Sequence, residues 1–360
     1  MTVSKAVFLA SGDPHRHSTG TIPGGGPVAL APVANRPLLV HALDSLKHTD
    51  VREVAVVVDP SSETRARRAV RDALSVDCEL DLDVVYIGDR SRGSLASSLA
   101  AVKGFVGEEP FILHLNDSIS RGSLAPVLSV APLGRLDALL ITYDGGPDIP
   151  DAVTDLAVQR FAAPEGPRSS AVPAGVYVFG AGIFEAFDGA NGHSAYELKA
   201  ISSVGRMSEL GGQVDIRTTS GWWRYDERPD ALLDGNRFAL ERLVSDFTGA
   251  HLRDVRIQGD AVIHPTAQVE STTVRGPATI GPGARIKDSY IGPYTSVGEG
   301  VVIEGAELEN SIVFPGASLR HLGSRLEASV IGPQAKISRD FRLPKALRLT
   351  IGEGAEISLT

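Results

Sequence analysis

Ala6-Val7-Phe8-Leu9-Ala10-Ser11-Gly12 is the stretch from which the rest of the chain is read. A short apolar run with a small residue ahead of a glycine reads as a buried first strand. Gly12 opens a loop rich in Gly, Pro, Ser, Thr and His that runs to Pro27 and contains Gly24-Gly25-Gly26. After it comes Leu30-Ala31-Pro32-Val33-Ala34-Asn35-Arg36-Pro37-Leu38-Leu39. A helix begins near Pro37, because proline suits a first helical turn. A glycine-rich loop between a first strand and a helix is where α/β proteins hold phosphates, through exposed backbone N–H groups.

Working outward, strands and helices alternate. Val51 to Asp59 is a nearly unbroken β-branched run, which predicts a strand buried on both faces. Ser62 to Leu74 has helical spacing, Asp83 to Ile87 is a further strand, Leu95 to Phe105 an amphipathic helix, and Pro110 to Leu115 another strand. This βαβα order predicts a mostly parallel, doubly wound sheet. Ligands on such sheets sit beyond the carboxyl ends of the strands. The ends of interest are Ser11-Gly12, Asp59, Gly88-Asp89 and Asn116-Asp117.

From about Gly259 the pattern changes to short motifs of an aliphatic, then Gly, His or Phe, then Pro or Glu, then any residue, then a small one. Ile263-His264-Pro265, Ile280-Gly281-Pro282, Ile291-Gly292-Pro293, Val313-Phe314-Pro315, Ile331-Gly332-Pro333 and Ile351-Gly352-Glu353 form the series. Ile263, Ile280, Val297, Phe314 and Ile331 recur at steps of 17 residues. That is a hexapeptide-type repeat with three short strands per coil, which predicts a parallel β-helix with inward aliphatics stacked coil on coil.

The chain has 360 residues, 42% of them hydrophobic, enough for two domains with sizeable cores. We divide it at 1–245 and 246–360. A net charge of -9 argues against general nucleic-acid binding. No apolar stretch approaches the roughly 20 residues of a membrane helix. Cys78 is the single cysteine, which excludes an internal disulfide and fits a reducing, cytoplasmic location.

Strand, glycine-rich loop and the segment Ala29 to Leu43 together resemble the start of the sugar-1-phosphate nucleotidyltransferases, in particular the long-form glucose-1-phosphate thymidylyltransferases. The resemblance covers nearly the whole chain. It implies a Rossmann-like nucleotidyltransferase domain followed by a left-handed β-helix. It also implies a reaction of a nucleoside triphosphate with a sugar-1-phosphate, dependent on Mg²⁺, and oligomer contacts through the β-helix. The partner would be a second copy or an active paralogue. In that family a glycine-rich, arginine-bearing loop is followed by a lysine. Here Gly12 and Arg16 keep part of the loop pattern, and the lysine position falls at Val28.

Asn116-Asp117-Ser118 resembles the family's G-D-N segment, whose aspartate holds Mg²⁺. A carboxylate suits that task, since Mg²⁺ takes oxygen ligands and bridges phosphates. Asp89 stands where the family has a base-reading glutamine, and Ser94 where it has a glycine. An aspartate cannot make the paired donor–acceptor contact of a carboxamide. Counting back from Gly175-Val176-Tyr177 puts Ala162-Ala163-Pro164 at a Glu-Lys-Pro segment that holds the sugar and its phosphate. The second metal aspartate is expected after Trp222-Trp223, where Tyr225 takes its place and Asp226 follows one residue late. A slip of one in an extended segment turns a side chain to the other face.

The candidate residues are therefore Arg16 for catalysis, Gly12, Asp89, Ser94 and Gly175 for substrate, and Asp117 and Asp226 for metal. Three readings remain. In the first, a nucleotidyltransferase retains activity with altered specificity. In the second, a relative has lost its chemistry and regulates or scaffolds. In the third, the site is repurposed, with His15, Arg16 and His17 beside Asp117 taking another phosphorylated substrate.

Overall fold

The computed structural model describes residues 3–11, 22–23, 25–76, 79–89, 95–129, 136–144, 171–187, 196–228 and 230–339. They fall into two compact units. One comprises the described residues of 1–17, 26–31 and 37–224; the other those of 18–25, 32–36 and 225–360.

The first unit opens with β1 (Lys5–Ala10). A single 3₁₀ turn, Val28–Leu30, follows in this unit; the next two very short strands, β2 (Pro32–Val33) and β3 (Arg36–Pro37), fall in the second unit apart from Pro37. Helix α1 (Leu38–Asp44) starts directly after Pro37, as the proline predicts. Then come β4 (Glu53–Val58), α2 (Glu63–Val76), β5 (Asp83–Gly88), α3 (Leu95–Val106) and β6 (Phe111–His114). These match the elements read from the sequence to within about two residues at most ends. They are followed by β7 (Ser118–Ser120), β8 (Ala138–Asp144), β9 (Ala171–Phe179), β10 (Val214–Thr219) and β11 (Trp222–Arg224).

The main sheet has seven strands in the order β10-β8-β9-β6-β1-β4-β5. β1 lies parallel to both β4 and β6. β9 is the exception, running antiparallel to β6 and β8. Helices cover both faces. Phe8, Val54, Val56 and Ile112 pack against Leu39 and Leu43 of α1 and Ala66 and Val70 of α2. Val7, Leu9, Val57 and Leu113 pack against Leu95, Leu99 and Val102 of α3. The β4 run Val54 to Val58 is buried along its whole length, because alternate residues serve both layers. Each valine of the run contributes about 1.5–3 kcal/mol on burial. β7 and β11 leave this sheet and pair antiparallel with each other, Arg224 opposite Ser118.

In the second unit the solenoid begins at His251–Gln258 and continues in short parallel strands to Lys336–Ser338. Ile263 pairs with Ile280, and Ile280 with Val297. The sequence reading fails at the next coil. Val297 pairs with Val313, not Phe314, and Val313 with Ile331. The mean step survives, but one coil is a residue short and the next a residue long. Constant spacing concealed this because Ile312, Val313 and Phe314 are all buried. Corners recur in left-handed backbone, one column running through Asp254, Ser271, Asp288, Gly305 and His321. The motif at Ile351 lies outside the described residues.

The hairpin of β2 and β3 turns at Ala34 and Asn35, both with positive φ. Residues 32–36 belong to the second unit, and Asn236 explains why. It sits in the helix Ala231–Leu240, fully buried. Its Oδ1 accepts from the Ala34 backbone N–H at 2.9 Å and from the Ser296 hydroxyl at 2.6 Å. Its Nδ2 donates to the Tyr294 carbonyl at 2.8 Å. Asn35 Nδ2 donates to the Val297 carbonyl at 2.8 Å.

Among the described residues no helix is long and apolar enough to cross a membrane.

Candidate strand-end site

Strand β6 ends at His114, and the chain then makes a sharp left-handed turn at Asn116 (φ 57°). His114 Nδ1 accepts the Asn116 backbone N–H at 2.9 Å, which closes the turn. The turn carries the chain out of the main sheet and into β7, leaving Asp117 at the bend. Asp117 is buried.

Asp117 does not stand alone. Arg224, the last residue of β11, donates from Nε to Asp117 Oδ2 at 3.1 Å and from Nη2 to the same oxygen at 2.7 Å. Its Nη1 donates to the Pro173 carbonyl at 3.2 Å. The two side chains are 6% and 2% exposed, so this is a buried ion pair. Alternation along β11 places Trp222 and Arg224 on the same buried side. Trp222 packs there and donates from its indole nitrogen to the Ala174 carbonyl at 3.0 Å.

Gly175 makes room for the pair. Its φ is +74°, and a Cβ there would lie 2.7 Å from Asp117 Oδ1 and 3.2 Å from Arg224 Nε. Thus Asp117 and Gly175, both singled out in the sequence, are brought into contact.

His114 is fully buried between Phe8 and Trp222, with ring centroids at 5.1 and 6.4 Å. Burial pushes its pKa down to about 4, the Arg224 charge adds to this, and the Asp117 charge opposes it. The ring is therefore neutral at ordinary pH, with Nδ1 as an acceptor and Nε2 carrying the proton. The Asn116 carboxamide and the Ser118 hydroxyl at this bend, and the Ser11 hydroxyl just past β1, are buried and make no hydrogen bond among the described residues.

The other candidates are placed as follows. Asp89, buried at the end of β5, accepts the Ser98 hydroxyl of α3 at 2.7 Å. Asp226 Oδ2 accepts from Arg228 Nε at 2.6 Å, and Arg228 Nη2 also reaches Asp234 at 2.9 Å. Val28, at the lysine position, lies in the 3₁₀ turn. Gly12, His15, Arg16, His17, Ser94, Ala162 and Ala163 lie outside the described residues.

Sequence reasoning missed Arg224 and His114. An arginine two residues after a buried tryptophan was a visible signal, but its partner lies over a hundred residues away. Among the described residues, no group of three or more His, Cys, Asp and Glu is placed to hold a metal ion. Asp117 is a suitable oxygen donor by type, but its Oδ2 already carries a guanidinium. The described donors thus do not fit Mg²⁺.

No family model matches the chain. It is 29% identical over 365 residues to a low-salt glycan biosynthesis nucleotidyltransferase of Haloferax volcanii, covering 99% of this chain and 100% of the relative. It is 29% identical over 367 residues to a glucose-1-phosphate thymidylyltransferase of Streptomyces griseus, covering 99% of both. A crystal structure from Bacillus anthracis, described as a putative glucose-1-phosphate thymidylyltransferase in complex with a sucrose, matches 68% of this chain and 97% of its own. Its TM-score is 0.51 at 18% identity, a likeness of fold. Over nearly its whole length, then, the chain is similar to proteins named as nucleotidyltransferases and glucose-1-phosphate thymidylyltransferases.

Proposed function

We propose that this chain binds a nucleotide or sugar phosphate at the carboxyl ends of β1, β5 and β6, and that Mg²⁺-dependent nucleotidyl transfer is lost or altered. The observation that carries this reading is the buried pairing of Asp117 with Arg224. An in-line attack on an α-phosphorus needs positive charge aimed at the phosphates. Loss of one such stabiliser commonly costs about 10²–10³ in rate. Here the aspartate's charge is consumed within the protein, and a valine takes the place of the family's lysine. Binding is favoured by the buried polar groups of Ser11, Asn116 and Ser118, since each unsatisfied group costs about 1–3 kcal/mol until a partner arrives.

We assign ligand binding to residues 1–245, and oligomer contacts to the solenoid region 246–360, as a homo-oligomer or with an active paralogue. A second reading, an active nucleotidyltransferase of changed specificity, is favoured by the full-length similarity to proteins named as enzymes.

Thermal unfolding against nucleoside triphosphates and dTDP-, UDP- and GDP-sugars, with and without Mg²⁺, separates these readings alongside a pyrophosphate-release assay. A ligand that binds the native state raises the midpoint. A shift without pyrophosphate release supports the proposal. Mg²⁺-dependent release of pyrophosphate at an enzymatic rate supports the second reading, and no shift with any ligand removes both.

A further inference from the structure

Building on the functional reading above, we propose that Arg224 is the resident cation of this site: its guanidinium keeps divalent metal away from Asp117, so that phosphorylated ligands are taken without Mg²⁺. Two guanidinium nitrogens converge on one carboxylate oxygen at 3.1 and 2.7 Å, while the third reaches the Pro173 carbonyl. Three segments build the arrangement. The bend after β6 supplies Asp117, β11 supplies Arg224, and β9 supplies both the carbonyl and the missing side chain at Gly175. β7 and β11 are in antiparallel register with Ser118 opposite Arg224, which sets the arginine beside the aspartate.

The charge accounting favours the arginine over a metal. A guanidinium does not titrate in proteins and is more weakly hydrated than a compact cation. Mg²⁺ sheds its water reluctantly and demands near-octahedral oxygen ligands. A metal taking Asp117 Oδ2 would have to displace this buried guanidinium, and a metal elsewhere on the carboxylate would sit beside its positive charge, with little water to screen the two. The other candidate carboxylate, Asp226, has an arginine of its own in Arg228.

The test is titration of the full chain with Mn²⁺ alone, read from the electron paramagnetic resonance signal of the free ion. The proposal expects the wild-type chain and Asp117→Asn to take up the same amount of Mn²⁺. It expects Arg224→Ala to gain one tighter site, with affinity at least tenfold above wild type, that Arg224→Ala with Asp117→Ala loses. Wild-type binding abolished by Asp117→Asn overturns it. Where a single variant does not fold, the neutral pair Asp117→Asn with Arg224→Gln replaces it. Unchanged Mn²⁺ uptake then supports the proposal and loss of uptake overturns it. Failure of every nucleotide and sugar phosphate to bind would remove the functional reading, and with it the uptake of phosphorylated ligands, and would leave the exclusion of metal from Asp117 standing.

Discussion

Arg224 Nη2 lies 2.7 Å from Asp117 Oδ2 with both side chains almost wholly shielded from water. Residues more than a hundred positions apart thus form the charged centre of the strand-end site. The desolvation cost of such a pair is repaid only while both partners are present. Asp117→Ala and Arg224→Ala should each lower unfolding free energy by about 3–5 kcal/mol, since each leaves a buried charge alone. The double substitution should cost less than the sum of the two. Urea denaturation of the four chains gives the coupling energy, and additive losses would mean that the pair is not formed in solution.

His114 makes stability depend on pH. Its folded pKa, about 4, lies below the ordinary value of 6.5. Between these values the unfolded chain binds a proton that the folded chain refuses. The stability it contributes is present above about pH 6.5 and is lost as pH falls toward 4, with a full span of about 3 kcal/mol. His114→Gln keeps an acceptor for the Asn116 N–H and removes the titration. Denaturation midpoints from pH 7 to 4 should fall more steeply in wild type than in the variant. Parallel curves would refute the assignment.

Gly175 is needed for two separate reasons. Its φ of +74° disfavours any side chain, and a Cβ would meet Asp117 Oδ1 at 2.7 Å. Gly175→Ala should lower stability by about 1–3 kcal/mol from backbone strain alone, with the contact adding to that. Gly180→Ala is the control. A Cβ there meets its nearest atom at an ordinary 3.6 Å. Calorimetric midpoints should separate the two variants, and equal losses would count against the described packing at Gly175.

Asn236 joins the hairpin at Ala34 to the solenoid segment at Tyr294 and Ser296. Asn236→Leu keeps the approximate volume and removes every bond. The Ala34 N–H, the Tyr294 carbonyl and the Ser296 hydroxyl would each lose a partner, at about 1–3 kcal/mol for every group that stays buried. The expected outcome is a fall of several kcal/mol, read by denaturant unfolding. Faster hydrogen exchange of the Ala34 amide should accompany it. An unchanged exchange rate would contradict the bond.

Local pattern determined much of this protein. The apolar run before Gly12, the β-branched run of β4 and the alternation with helices fixed the order of the α/β unit, because burial on two faces leaves a direct trace in residue type. The repeated aliphatics identified the solenoid for the same reason, since each coil must bury the same column. Spacing could not reveal the short and long coils after Val297, where Ile312, Val313 and Phe314 form an unbroken apolar run. Nor could it place Asp226 with Arg228 or give Asp117 its arginine. Whether a carboxylate meets a metal or a guanidinium is set by which strand end folds against it. That depends on the left-handed turn at Asn116, on the pairing of β7 with β11, and on the absent side chain at Gly175, features whose partners are distant in sequence and meet only in the folded chain.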